Sequence, residues 1–135
     1  MADFLNKESG VLGITGISSD MREIESAAEE GNERVQLALK MSNYRIKKSI
    51  GAYAAAMGGV DIIVWTAGVG ENQIGTRLES CSGLEFLGVK MDAEANKVRG
   101  EEAIISAPDS KVTVCVIPTD EELMIAKDTM NLLQK

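Results

Sequence analysis

A chain of 135 residues and 14.5 kDa has the size of one domain, and we expect residues 1–135 to form a single domain with its own core. Its 21 acidic and 14 basic residues give a formal net charge of −7, and without a dense Lys/Arg stripe this balance disfavours nucleic acid as a partner. No apolar run reaches the ~20 residues of a membrane span, and Met1 to Gly10 lacks a signal-peptide pattern, so we expect no membrane partner and a cytoplasmic location.

The first predicted helix follows a glycine-rich segment, Gly10 to Gly16. Asp20 and Glu23 fit the D-x-x-E form of a capping box, which predicts that the helix begins after Asp20. Gly31 is predicted to end this helix, because glycine readily adopts the left-handed conformation found at helix C-termini.

Three further helices are predicted downstream. The second runs from about Asn32 to Met57, where apolar residues recur at spacings of three, four or seven. A third, looser helical pattern covers Gln73 to Ser82. The fourth begins after Pro118, where Thr119 and Glu122 form a T-x-x-E capping box. The apolar face of this fourth helix comprises Leu123, Ala126, Met130 and Leu133.

Two apolar, β-branched segments, Val60 to Trp65 and Val112 to Ile117, predict strands that are buried on both faces. Shorter strands are expected at Gly88 to Met91 and Ala103 to Ser106, with a short helix from Asp92 to Val98 between them. This alternation predicts an α/β fold in which helices flank a mostly parallel sheet.

The two cysteines, Cys81 and Cys115, have no CxxC spacing, and the chain contains no histidine. A zinc site built from Cys and His ligands is therefore not expected. Both cysteines are expected to be reduced thiols that pack as small apolar side chains.

The most informative segment runs from Val64 to Asn72, VWTAGVGEN. A strand that leads into Gly68 and Gly70 ahead of a helix lets backbone N–H groups approach a ligand, and a nucleotide fits there. The segment is not a P-loop, because no G-K-[ST] follows, and Gln73 replaces the third glycine of the dinucleotide fingerprint. Taken alone, an ordinary strand-to-helix turn explains the pattern at least as well.

Three segments in order, GITGISSDMREIE, GGVDIIVWTAGVGEN and VIPTDEELMIAKDT, resemble the C-terminal part of the acetate kinases. The resemblance extends from Leu5 to Leu133. It implies the sugar-kinase, Hsp70 and actin superfold, in which two ribonuclease-H-like domains close over ATP, and it assigns this chain to part of the C-terminal lobe. The activity it implies is that of acetate kinase, a phosphotransferase that converts ATP and acetate to ADP and acetyl phosphate.

The resemblance implies that two segments contact the adenine nucleotide. The family places an aspartate and an arginine beside the nucleotide at the positions of Asp20 and Arg22, with Met21 near the base. Judged without the family, Asp20 is a helix cap, and the two roles are compatible. The adenosine-binding turn of the family corresponds to Gly68, Val69, Gly70 and Asn72.

ATP or ADP with Mg²⁺ is the cofactor set that the resemblance implies. Glu121 matches the family glutamate associated with the magnesium of the nucleotide complex, whereas Glu122 is explained as a member of the capping box. Without the family, both are first-turn acids that complement the helix dipole. Asp120 stands where the family has asparagine, and it adds negative charge beside this position.

The resemblance also implies what these residues do not supply. The family places its acetate pocket, catalytic aspartate, further arginines and phosphate-contacting histidine in preceding segments, so no catalytic residue is assigned and we expect the chain alone to be inactive. Expected partners are the N-terminal part of the enzyme and a second copy in a homo-oligomer. An incomplete sheet would leave an exposed edge that favours association.

Two other functions remain open from the residues themselves. The chain could be a stand-alone nucleotide-binding or interaction module that carries the lobe without the chemistry. An oxidoreductase domain that binds a dinucleotide at Gly68 and Gly70 is disfavoured, because the third glycine of the fingerprint is missing.

Overall fold

The computed structural model describes residues 1–134, which form seven α-helices and three β-strands. The predicted α/β class is confirmed, and two short 3-10 turns lie at Glu85–Leu87 and Ala95–Lys97. In chain order the elements are α1 Ala2–Lys7, α2 Gly10–Thr15, α3 Met21–Glu29, α4 Glu33–Met57, β1 Ile62–Trp65, α5 Ala67–Asn72, α6 Ile74–Cys81, β2 Ala103–Ile104, β3 Thr113–Val116 and α7 Glu121–Leu133.

The sheet is mixed rather than mostly parallel. Its strand order is β1-β3-β2, with β1 parallel to β3 and β2 antiparallel to β3. A short connection between β2 and β3 allows only the antiparallel arrangement, because a parallel pair needs a long crossover. The strand expected at Gly88 to Met91 is wrong: this segment contributes only single bridges, from Val89 to Val112 and from Met91 to Ser106.

Burial of the central strands on both faces is also wrong. Ile63 and Trp65 of β1 are buried, but Ile62 and Val64 remain 58% and 48% exposed. The buried face packs against side chains of α4 and α6, so these two helices cover one side of the sheet only. The core residues are Ile63, Trp65, Cys81, Leu84, Val89, Ile105, Val112, Val114 and Val116.

The helix predicted to start after Asp20 does so. The Asp20 carboxylate accepts the backbone N–H of Arg22 at 2.9 Å, which satisfies one of the unpaired donors at the start of α3. The second half of the capping box does not form: the Asp20 N–H donates to the Ser18 hydroxyl at 3.0 Å instead of to Glu23.

The longest predicted helix is confirmed almost to the residue. The Asn32 side chain accepts the N–H of Val35 at 3.2 Å, and α4 then runs without interruption to Met57. Gly58 ends it with a φ of 78°, the left-handed conformation that glycine adopts at little cost.

Helix α7 differs from its prediction in both its cap and its packing. Asp120, not Thr119, is the N-cap residue, and its carboxylate accepts the Leu123 N–H at 3.0 Å. None of the residues of α7 is buried, so its apolar face is exposed in the described chain. Within residues 1–134, every helix is too short or too polar to span a membrane.

Both cysteines are free thiols in the described structure, as expected. Cys81 lies in the core, and burial raises the pKa of its thiol to about 11, since a thiolate is disfavoured in apolar surroundings. The thiol of Cys115 is only partly buried, and its pKa is raised for the same reason. Both groups therefore stay protonated at neutral pH.

We predict that Asp120→Ala will fray the first turn of α7, because it removes the side-chain acceptor of the Leu123 N–H. The expected loss is about 1 kcal/mol of local helix stability. Amide hydrogen exchange at Leu123 and neighbouring residues would measure it. Glu122→Ala is the matched control and should leave exchange there nearly unchanged. Equal fraying in both variants would indicate that Glu122 also contributes to the cap, as the T-x-x-E capping box predicted from the sequence requires.

Candidate functional site

A cavity of about 550 Å³ lies between the start of α3 and helix α5. It brings together two segments that the sequence analysis assigns to one nucleotide site. Two predicted site residues, Gly70 and Glu121, lie outside its lining. Three lining residues, Glu25, Gln73 and Arg99, are not predicted as site residues. The predicted residues that line the cavity are Asp20, Met21, Arg22, Gly68, Val69 and Asn72.

Asp20 and Arg22 form a two-pronged ion pair at one side of the cavity. The Arg22 Nε donates to Asp20 Oδ1 at 3.1 Å, and Nη2 donates to Oδ2 at 2.6 Å. These hydrogen bonds, with the one from the Arg22 backbone N–H, lower the pKa of Asp20 to about 2. The pair also explains an arginine in the first turn, where the helix dipole alone would disfavour it.

Helix α5 forms the opposite wall, where the sequence suggests a turn. The chain enters it through Ala67, a non-glycine residue with a φ of 57° in the sparsely populated left-handed region. Gly68 and Val69 then face the cavity, and the side-chain amide of Asn72 donates to the Gly68 carbonyl at 3.0 Å. A Cβ on Gly68 would meet no atom from outside its own stretch of α5 within 4 Å, so its open side is available to a ligand.

Gly70 has a structural role that differs from its predicted one. It is buried, and a Cβ at this position would lie 3.1 Å from the carbonyl carbon of Trp65 and 3.4 Å from its Cα. Glycine here lets α5 fold back closely onto the end of β1. Gly70 therefore sets the position of the cavity wall without lining the cavity.

Gln73, which occupies the place of a third glycine, joins the two walls. Its side chain is 3% exposed. The Nε2 group donates to the Met21 carbonyl at 3.3 Å, and Oε1 accepts the hydroxyl of Thr76 at 3.0 Å. The side chain thus connects the start of α3 to the start of α6, a contact between segments far apart in sequence.

Arg99 approaches the cavity from an irregular segment. Its Nη1 donates to the carbonyl of Asn72 at 2.6 Å, at the C-terminal end of α5. The next residue, Gly100, donates its N–H to the Glu71 carbonyl at 3.2 Å. No periodicity or cap surrounds Arg99 in the sequence, so no local pattern could have predicted its place in the cavity lining.

The charges around the cavity are mixed. Arg22 and Arg99 bring two positive groups, and Asp20 and Glu25 bring two carboxylates. Burial raises the pKa of Glu25, and the nearby charge of Arg99 partly opposes that rise. The lining therefore carries two positive and two negative side chains.

Glu121 lies outside the cavity, at the exposed start of α7. The segment before it is tied to α5, because Glu71 Oε1 accepts the backbone N–H of Thr119 at 2.9 Å and its hydroxyl at 3.0 Å. These bonds lower the pKa of Glu71. Within residues 1–134, no three His, Cys, Asp or Glu side chains are grouped so that they could hold a metal ion.

Comparison with known proteins identifies the family. A family profile described as the acetokinase family matches residues 1–127. An acetate kinase from Phocaeicola vulgatus is 69% identical over 135 residues, which are all of this chain and 34% of that relative's length. An acetate kinase from Dictyoglomus turgidum is 60% identical over 133 residues. The chain spans about a third of the length of the curated relatives that it matches.

Solved structures agree with the sequence comparison. The crystal structure of Porphyromonas gingivalis acetate kinase superposes with a TM-score of 0.90 at 59% identity, over 98% of this chain and 33% of that one. A propionate kinase from Francisella tularensis gives a TM-score of 0.82 at 37% identity, over 93% and 32% respectively. The chain therefore belongs to the acetokinase family and has the fold of the matching part of an acetate kinase.

We predict different effects on stability when a methyl group is added to each of the two glycines of α5. Gly70→Ala forces a Cβ against the backbone of Trp65 and should destabilise the protein by about 1 to 3 kcal/mol. Gly68→Ala meets open space within an ordinary helix and should leave stability unchanged or raise it by up to about 1 kcal/mol. Urea unfolding of both variants measures the difference. Equal stability would show that β1 and α5 are not packed as closely as described.

The ion pair of Asp20 predicts a dependence of stability on pH. Because its pKa falls from 3.8 to about 2 on folding, its stabilising contribution is complete above about pH 4 and is lost as the pH falls toward 2. Asp20→Asn keeps a neutral cap but removes the charge. The difference in melting temperature between wild type and this variant should be constant near neutrality and disappear between about pH 4 and pH 2. A difference that persists to the lowest pH would contradict the ion-pair explanation.

Proposed function

We propose that this chain supplies the nucleotide-binding side of an acetate kinase, which transfers a phosphoryl group between ATP and acetate. The observation that carries the proposal is the single cavity that joins Asp20 to Arg22 with Gly68 to Asn72, two segments separated by the whole of α4 and β1. Membership of the acetokinase family supports the same activity, and a cytoplasmic location is proposed with it.

The proposed ligand is an adenine nucleotide, and the shape of the cavity suggests how it lies. The purine and ribose would lie along α5, where Gly68 leaves open space and the Val69 side chain is apolar. Met21 offers a second apolar contact from α3. The guanidinium groups of Arg22 and Arg99 are the cations that can contact phosphate, since Arg presents paired N–H donors to phosphate oxygens.

Magnesium is proposed to enter with the nucleotide. Mg²⁺ keeps phosphate and water oxygens as most of its ligands and needs only one or two carboxylates from a protein. Glu121 fits that requirement, because it is exposed and lies two residues after Thr119, which Glu71 ties to α5. Bound there, magnesium would neutralise negative charge on the phosphates.

The acyl group and the catalytic residues are proposed to come from the remaining length of the relatives. Phosphoryl transfer depends on positioning the reacting groups and on excluding water, which one open wall does not provide. The uncovered face of the sheet exposes four apolar side chains, those of Ile62, Val64, Ile104 and Ile117. Helix α7 has no buried residue. These surfaces support contact with the N-terminal part of the enzyme or with a second copy, and we propose that the chain alone does not catalyse the transfer.

We predict that the chain binds AMP, ADP and ATP with dissociation constants on the order of millimolar, near −4 kcal/mol, because an open cavity leaves much of the ligand in water. Gly68→Val should abolish this binding, since its side chain occupies the space proposed for the nucleoside. Gly51→Val is the matched control, because Gly51 in α4 likewise has no atom from outside its own helical stretch within 4 Å of an added Cβ, and this variant should bind normally. NMR titration of the backbone amides would follow each variant.

The same titration tests the metal and the base. Glu121→Gln should weaken ATP binding only when magnesium is present. Guanine or cytosine nucleotides should bind less well than adenine nucleotides, because the base and ribose, rather than the phosphates, are proposed to make most of the contacts with the cavity. Binding that rises with the number of phosphates, ignores the base and survives Gly68→Val would overturn the proposed function.

A further inference from the structure

The Arg77 side chain is completely buried, and each of its five N–H donors has an acceptor. Its Nη1 donates to the carbonyls of Gly70 at 2.8 Å and Glu71 at 2.9 Å. Its Nε donates to the side-chain oxygen of Asn96 at 2.8 Å, and its Nη2 donates to the carbonyls of Asn96 and Val98, both at 2.7 Å.

None of these acceptors is a carboxylate. Arginine stays charged even when burial lowers its pKa, as it does here; every hydrogen bond of the guanidinium is accepted by a neutral oxygen, and the carboxylate of Glu25 favours the charge without bonding to it. Two of the oxygens belong to the last turn of α5, where backbone carbonyls have no partner within the helix. Removing the guanidinium would take a donor from each of these acceptors and would leave the Glu71 carbonyl with the Gly100 N–H.

The acceptors lie on two different parts of the cavity's surroundings. Gly70 and Glu71 precede Asn72, which lines the cavity from α5. Asn96 and Val98 precede Arg99, which lines it from the irregular segment. The guanidinium therefore holds both segments against one rigid, planar group.

We propose that Arg77 is a positioning residue for the nucleotide cavity: it sets Asn72 and Arg99 at their relative positions without touching the ligand. The inference rests on the proposed function, because it gives that cavity a nucleotide as its ligand. Asn96 acts together with Arg77, because its side-chain amide also donates to the Ile74 carbonyl at 3.0 Å and so anchors the Asn96–Val98 segment to α6.

A merely structural role would lower stability without changing the cavity, and two variants separate the possibilities. Arg77→Lys keeps the charge but replaces the planar five-donor group by an ammonium with three donors, which cannot satisfy all five acceptors. Asn96→Ala is milder, because it leaves Arg77 in place and removes one acceptor and the bond to Ile74. Val112→Ala, a core truncation away from the cavity, is the control for lost stability.

ADP affinity and hydrogen exchange are measured for the 135-residue chain at a temperature where each variant is folded. We expect Arg77→Lys to weaken ADP binding about tenfold or more and Asn96→Ala several-fold, with Val112→Ala within about twofold of wild type. Exchange of the Gly100 N–H, which is bonded to Glu71, should accelerate in the first two variants. Exchange of the Ile105 N–H, bonded to Val114 at 2.8 Å, should change only as much as in Val112→Ala.

The outcomes distinguish this inference from the proposed function. If wild type binds ADP and the Arg77→Lys and Asn96→Ala variants bind it equally well, Arg77 does not position the site, and the proposed function stands. If wild type fails to bind ADP, the proposed function fails and the nucleotide part of this inference fails with it. Should Arg77→Lys not fold, Asn96→Ala decides: normal ADP affinity with unchanged Gly100 exchange in that variant overturns the inference.

Discussion

The hydrogen bonds of the buried Arg77 guanidinium join the two segments that carry Asn72 and Arg99 into the cavity lining. A charge removed from water is tolerated only where every donor has a well-placed acceptor, and here the acceptors are backbone carbonyls and one amide oxygen from two separate segments. Because neutral carbonyls attract the guanidinium less than a carboxylate would, good geometry from all of them is required. The ends of α5 and of the Asn96–Val98 segment are consequently held to a narrow set of positions.

The other contacts around the cavity extend the same principle. Gln73 spans from α6 to α3, and Gly70 permits α5 to approach β1 without a side chain between them. Each contact joins segments that are distant in sequence, so the walls depend on the completed fold rather than on local helix formation. A cavity built in this way can present the same groups repeatedly to a ligand, which is the requirement for catalysis by positioning.

The one-sided sheet accounts for what the chain leaves uncovered. Helices α4 and α6 bury Ile63, Trp65, Val114 and Val116 on one face, while the opposite face keeps apolar residues in contact with solvent. Helix α7 follows the sheet after Ile117 and has no buried residue among those described, and Thr119, just before the helix, is hydrogen-bonded to Glu71 of α5. An exposed apolar face of this kind is typical of a surface that contacts further protein, and it agrees with a chain that spans about a third of its relatives' length.

The sequence by itself determined the boundaries of α3 and α4 and, through resemblance, the two segments of the candidate site. The N-cap residues Asp20 and Asn32 and the terminating Gly58 act within a few positions along the chain, so their patterns predict helix boundaries well. Only the tertiary structure decided that one face of β1 is exposed, that the Thr119 hydroxyl donates to Glu71 and leaves Asp120 to cap α7, and that Arg77 and Arg99 hold and line the cavity. The reason is that a buried arginine or an uncovered strand face depends on which distant carbonyls and side chains arrive beside it, and no short-range periodicity or cap encodes that arrangement.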